Sequence, residues 1–156
     1  MPFVLFHDHC PEIAERETRT ITVLERSSAG LSPGQYALLE MYCDESGCDC
    51  RRVFFYVVSS VRKDVEAVIA FGWERPEFYA EWLKDDDAKV IRDLRGPVLN
   101  FGSPQSHLAP AILELVKDVV LKDEQYVQRL QTHYWMFRHR IDSGGGSTAR
   151  KKKEKA

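Results

Sequence analysis

The chain has 156 residues, of which 44% are hydrophobic and 29% charged, with a formal net charge of −2. This length and composition fit one globular domain and argue against a disordered or membrane-embedded body. Residues 150–156 carry five basic residues and one acid, which leaves 17 basic and 23 acidic residues in the rest. Such an acidic body lacks the broad positive surface of a nucleic-acid-binding protein, so only the tail is expected to contact polyanions, and weakly.

The apolar segments predict a cytoplasmic protein that does not contact a membrane. The run at residues 53–58 is too short to span a bilayer, and the apolar segment at 108–121 is interrupted by charged residues. Residues 1–8 contain no basic segment and too few apolar residues for a secretory signal.

The first half of the chain predicts four strands, because β-branched and aromatic residues dominate or alternate in segments 20–24, 36–42, 53–59 and 65–73. Short connections between them indicate an antiparallel meander. The segment before these strands, residues 3–10, would place His7 and His9 on one face if it is extended, and Pro11 would end it.

The second half predicts three or four helices. Segments 76–83 and 86–94 have helical spacing, and residues 98–104 are expected to form a loop. Ser106 is a candidate cap for a helix through residue 122, and Asp123 for a helix to about residue 142. The first of these has an expected buried stripe of Leu108, Ile112, Leu115, Val116 and Val119, and the second one of Tyr126, Leu130, His133, Phe137 and Ile141.

Strands followed by helices predict an α+β fold with the helices packed on one face of the sheet. We expect residues 1–142 to form a single domain. Residues 143–156 should form a flexible Gly/Ser linker and a basic tail.

Three of the four cysteines, Cys43, Cys48 and Cys50, fall within eight residues between the second and third predicted strands. Thiolates are preferred ligands of zinc, and a structural zinc site takes four Cys or His ligands. The C-x4-C-x-C spacing supplies three, so the fourth must come from elsewhere. Candidates are Cys10, which would complete a four-thiolate site, the adjacent His7 and His9, and His133, which lies on an apolar helix face.

Other interpretations of these residues stay open. Cysteines are often buried without binding an ion, and His133 taken alone is better explained as a core histidine bonded to Tyr42, a backbone carbonyl or a carboxylate. Cys48 and Cys50 could form a redox pair, although dithiol enzymes use C-x-x-C at the start of a helix. A catalytic metal site would need an open coordination position and a base such as Asp44, Glu45 or Asp49.

Residues 42–52, together with Phe71-Gly72-Trp73, His133-Tyr134 and Phe137-Arg138, resemble a family of small bacterial proteins of unknown function. Some members of that family are associated with an added SEC-C zinc motif. That motif reads C-x-C-G-S-G before a Cys-Cys pair, and Cys48-Asp49-Cys50-Arg51 departs from it. The resemblance implies no activity, but it implies that a metal-binding module with a basic tail can act as an adaptor.

These observations give two hypotheses. The first is a cytosolic binding or adaptor module with a structural zinc and an unidentified protein partner, for which an exposed Trp135 would be a candidate contact. The alternative is a metal- or thiol-dependent enzyme, a hydrolase or a redox protein, that uses the same cysteines. The sequence contains no phosphate-binding glycine loop, nucleophile elbow, H-E-x-x-H or dinucleotide fingerprint.

Overall fold

The structure, a computed structural model, describes residues 3–25 and 30–145. Within these residues six strands form one antiparallel sheet. The strands are β1 (Phe3–Leu5), β2 (Arg19–Val23), β3 (Gly34–Cys43), β4 (Arg52–Ser59), β5 (Val65–Gly72) and β6 (Val98–Leu99). The four predicted strands correspond to β2 to β5, and the predicted α+β class is confirmed.

The sheet is built on the β3-β4-β5 meander, with β6 beside β5. Both β1 and β2 pair with the free edge of β3, β1 near its end and β2 near its start. Met41 pairs with Phe54, so the chain between these two residues connects β3 to β4 at one end of the sheet. The same end holds Gly72, which pairs with Arg52.

The described helices are α1 (Phe6–His9), α2 (Pro11–Glu17), α3 (Pro76–Leu83), α4 (Ala88–Arg95), α5 (Ala109–Asp118) and α6 (Glu124–Arg140). A 3₁₀ turn, Val120–Lys122, follows α5, and a π-helical turn, Ile141–Gly145, follows α6. The carboxylates of Asp87 and Asp123 accept backbone N–H bonds at the starts of α4 and α6, as expected of N-caps. No helix in the described part of the chain combines the length and apolarity needed to cross a membrane.

The main core lies between one face of the sheet and helices α1, α2, α5 and α6. Alternation along β3 buries Tyr36, Leu38 and Tyr42 on that face, and β4 adds Val53, Phe55 and Val57. A smaller buried cluster on the opposite face contains Phe54, Val68 and Ala70. Helices α1, α2, α5 and α6 therefore cover the face that carries the Tyr42 side of β3.

The N-terminal segment differs from its prediction. Residues 6–9 form α1 instead of continuing the strand, so His7 and His9 are two helical positions apart and do not share a face. Pro11 occupies the first turn of α2, where its missing N–H costs nothing, so it starts a helix that the sequence pattern did not predict.

Two further predictions need correction. The segment expected as a loop at residues 98–104 begins with β6, a two-residue strand paired with β5. The helix expected through residue 122 ends at Asp118, and Val119 is 52% exposed because its backbone leaves the α-helical conformation there.

Residues 143–145, the first residues of the expected linker, belong to the π-helical turn. Residues 146–156, which include the basic tail, lie outside the described residues.

Candidate metal centre

Cys43, Cys48 and Cys50 are brought together at the β3-β4 connection, with their three sulfur atoms all within 4.8 Å of one another. Zinc–sulfur bonds of about 2.3 Å at tetrahedral angles place thiolate sulfurs about 3.8 Å apart, so a small contraction would close this group on an ion. Cys43 and Cys50 are buried and Cys48 is half-buried. The site therefore lies just under the surface, with Cys48 on its outer side.

The loop that carries these cysteines turns tightly at Gly47, whose φ of +75° suits a residue without a side chain. The Cys48 N–H donates to the Glu45 carbonyl at 3.2 Å, which closes the turn. The Gly47 N–H donates to Oδ1 of Asp142 at 2.9 Å, which attaches the turn to the segment after α6.

The buried guanidinium of Arg138 attaches the start of this loop to α6. Its Nη1 donates to the Cys43 carbonyl, and its Nη2 donates to the Glu45 carbonyl at 2.6 Å and to Asp142 at 2.8 Å. Burial by itself would lower the pKa of Arg138, but the Asp142 hydrogen bond and nearby charges, including Cys43, raise it. Arg138 therefore stays cationic next to the first cysteine.

Arg51 fixes the other end of the loop. Its N–H donates to the Tyr134 hydroxyl at 3.2 Å, and its carbonyl accepts the Tyr79 hydroxyl at 2.8 Å. Its guanidinium forms ion pairs with Asp49 at 2.8 Å and with Glu74 at 2.7 Å. The N–H and the carbonyl of Arg51 are both hydrogen-bonded, to side chains of α6 and α3 respectively. These two helices therefore also fix the position of the preceding Cys50.

The three thiols differ in their affinity for protons. A hydrogen bond from Cys50 lowers the pKa of Cys43 to about 6. The same hydrogen bond raises the pKa of Cys50, and burial raises the pKa of Cys48. Cys43 is therefore the thiol of the three that ionises most readily without an ion, and a divalent cation would stabilise the ionised form of the other two.

Cys10 was a candidate fourth ligand, and the structure does not bring it to the group formed by the other three cysteines. It lies between α1 and α2, is 1% exposed, and belongs to the main core. Burial raises its pKa. Cys10 behaves as a small apolar core residue in this fold.

His133, another candidate ligand, is bonded to two carboxylates and is not part of the three-cysteine group. Nδ1 lies 2.7 Å from Oε1 of Glu40 and Nε2 lies 2.8 Å from Oε1 of Glu17. The imidazole also stacks on Phe6, with ring centroids 4.5 Å apart. Both ring nitrogens are occupied, which matches the core-histidine alternative and leaves none for a metal.

The histidines of α1 are also outside the cysteine group. His9 packs edge-on against Phe137 with ring centroids 5.2 Å apart, and His7 is exposed. The sequence prediction missed Arg138 and Tyr134 as supports of the loop. Arg138 could have been recognised as a support from its position beside Phe137, which belongs to the apolar stripe of α6.

The three-cysteine group is thus held from both ends by α6, and its geometry suits a metal ion whose identity the structure does not show. Comparison of the chain with protein-family models, curated proteins and solved structures finds no match to any of them.

Proposed function

We propose that Cys43, Cys48 and Cys50 bind a zinc ion and that the protein is a metal-stabilised binding or adaptor module. The observation that carries this proposal is the convergence of three sulfur atoms within 4.8 Å. Zinc suits the site because thiolates are soft ligands and zinc is the common ion of structural thiolate sites. The four cysteines are free, which fits a reducing compartment such as the cytoplasm.

Arg138 places a buried positive charge beside the site, which is compatible with an anionic group of thiolates. Its Nε is buried and has no hydrogen-bond partner among the described residues, although its Nη atoms are bonded. A buried charged donor without an acceptor is costly. Three thiolates around a divalent ion have a net charge of −1, which would offset part of that cost.

The alternative is thiol redox chemistry, which the low pKa of Cys43 favours. Cys43 is only 2% exposed, however, whereas burial raises the pKa of the half-buried Cys48. A reactive thiol needs both ionisation and access, and here the two properties are on different residues. This separation favours metal binding over redox chemistry.

An adaptor role is supported by the surface next to the site. Trp135 is 50% exposed, and the guanidinium of Arg51 lies 5.4 Å from its ring centroid and 4.6 Å from that of Phe78. Aromatic and arginine side chains are enriched where proteins bind one another. A metal ion bound to Cys50 would restrain the adjacent Arg51. It would therefore also hold the surface formed by Arg51, Trp135 and Phe78 in place for a protein partner.

The test is elemental analysis of the purified full chain by inductively coupled plasma mass spectrometry. We expect about one zinc per chain, retained in Cys10→Ala and lost in Cys48→Ser. Cys48 is the informative position because it is the least buried of the three, so its substitution disturbs packing least. Equal metal content and equal thermal stability in Cys48→Ser and the wild type would contradict the proposal.

A further inference from the structure

The structure locates each nitrogen or sulfur donor that could complete the site. The sequence contains four cysteines and five histidines, and all nine lie in the two described segments. Only Cys43, Cys48 and Cys50 form a group with metal-ligand spacing, and no Asp or Glu of the described residues joins them. Cys10 and His133 are held in the core.

The remaining histidines have surface positions. His107 precedes α5, and its neighbour Ser106 donates its N–H to the Glu66 carbonyl at the start of β5. Gly72, the residue of β5 paired with Arg52 beside the site, is six residues further on, about 20 Å along a strand. His139 is exposed on α6 and follows Arg138, which makes it the histidine to test directly.

We infer that the metal takes its fourth ligand from outside the chain and that this ligand is a thiolate. The inference rests on the proposed metal site and names the ligand that would bind there. Structural zinc sites are closed by four protein ligands, whereas a site with three keeps a position for exchange.

The access to this position is on the side of Cys48. Residues 44–47 are exposed and Cys48 is half-buried, whereas Cys43 and Cys50 are 2% and 3% exposed. A donor therefore reaches the ion past the loop tip and not through the core.

A thiolate fits the electronic character of the site. Three thiolates transfer much of their charge to the metal, so the ion is a weak Lewis acid toward water, which ionises far less readily than a thiol. A thiol has an unbound pKa of about 8.5 and needs far less assistance to ionise at neutral pH. Soft donors also prefer the same ions as the cysteines already present.

The step is a ligand exchange without oxidation. The incoming thiol loses its proton to the buffer, its sulfur forms a bond to the metal, and the bound water leaves. Two sources share this chemistry: a free low-molecular-weight thiol, and a cysteine presented by a partner protein. The second source would make the metal part of the binding surface.

The experiment uses the full chain loaded with one equivalent of Co²⁺ in thiol-free, oxygen-free buffer. Co²⁺ replaces zinc and reports its ligands through thiolate-to-metal charge-transfer absorption. We expect addition of 2-mercaptoethanol to raise that absorption by about one third, from three thiolates to four. Imidazole at the same concentration should give a smaller change, and His139→Ala should behave like the wild type.

A cysteine-containing peptide, with a serine-containing peptide as its control, distinguishes the second source from a free thiol. Co²⁺ binding with no response to either thiol would overturn the inference and leave the metal proposal intact. So would a spectrum that changes in His139→Ala before any thiol is added. Absence of Co²⁺ and zinc binding would overturn both proposals.

Discussion

His133 Nδ1 lies 2.7 Å from Oε1 of Glu40, which joins α6 to β3 inside the main core. On its other side Nε2 lies 2.8 Å from Glu17 of α2. Burial would lower the pKa of His133, but hydrogen bonds to the two carboxylates raise it above its ordinary value. The protonated imidazole of His133 thus connects α6 to both β3 and α2.

This arrangement predicts that the link weakens at alkaline pH. A raised pKa in the folded state means that the folded protein holds the proton more tightly than the unfolded chain. The contribution of His133 to stability is therefore complete below about pH 6.5 and is lost as the pH rises through the folded pKa. In Glu17→Gln this loss should be smaller, because one of the two anions that raise the pKa is removed.

The measurement is urea unfolding of the wild type, Glu17→Gln and the control Glu15→Gln between about pH 6 and pH 9. Glu15 is an exposed residue of the same helix. Titration of the cysteines is common to all three proteins, so the difference between them isolates His133. Parallel pH profiles for Glu17→Gln and the wild type would contradict this assignment.

Arg138 gives a second prediction, because its guanidinium binds two carbonyls of the cysteine loop. Arg138→Met should lower the free energy of unfolding by about 2 kcal/mol, since it removes a charged donor from the carbonyl of the buried Cys43 and from that of Glu45. It should also weaken zinc binding by loosening the loop. Arg140→Met is the matched control, because that side chain is exposed and donates to the His9 carbonyl, which lies outside the cysteine loop.

Chemical denaturation and competition with a zinc chelator measure the two effects separately. Loss of stability with unchanged zinc affinity would show that Arg138 supports the helix and not the site.

Local patterns were sufficient for most of the sheet. Segments 53–59 and 65–73 match β4 and β5 to within one residue, because apolar and β-branched residues continue to the ends of both strands. The N-terminal helices were missed because α1 has only four residues and shows no periodicity. Its conformation depends on Phe6 entering the core, which is a tertiary effect.

The same distinction applies to the candidate site. Three ligands could be predicted because they are close in sequence. The supports could not, since Arg138 lies 95 residues from Cys43, and His133 lies 93 residues from Glu40. A buried charge on an apolar stripe shows that a partner is needed, but only packing of the elements decides which one it is.

Gly72 and Tyr79 give a third prediction. A Cβ atom on Gly72 would lie 2.2 Å from the Tyr79 hydroxyl oxygen, which donates to the Arg51 carbonyl. Gly72→Ala should therefore displace Tyr79 and cost about 1–3 kcal/mol of stability. In a Tyr79→Phe background the same substitution should cost less, because the closest clashing atom is absent.

A double-mutant cycle measured by urea unfolding tests this coupling. Gly102→Ala is a control for replacing a glycine in open space, since nothing lies within 4 Å of its Cβ position. Its φ of +83° adds a backbone cost that Gly72, a strand residue without a positive φ, does not carry. Additive effects of Gly72→Ala and Tyr79→Phe would show that the two residues do not restrain each other.

The last prediction concerns protons released when zinc binds. At pH 7.5 Cys43 is already ionised, because Cys50 lowers its pKa to about 6, whereas the pKa values of Cys48 and Cys50 are raised. Binding to three thiolates should therefore release about two protons at pH 7.5 and about three at pH 5. Isothermal titration calorimetry in buffers of different ionisation enthalpy counts these protons. Release of three protons at both pH values would mean that Cys43 is protonated in the metal-free protein at pH 7.5. The predicted difference in pKa between Cys43 and the other two cysteines would then be wrong.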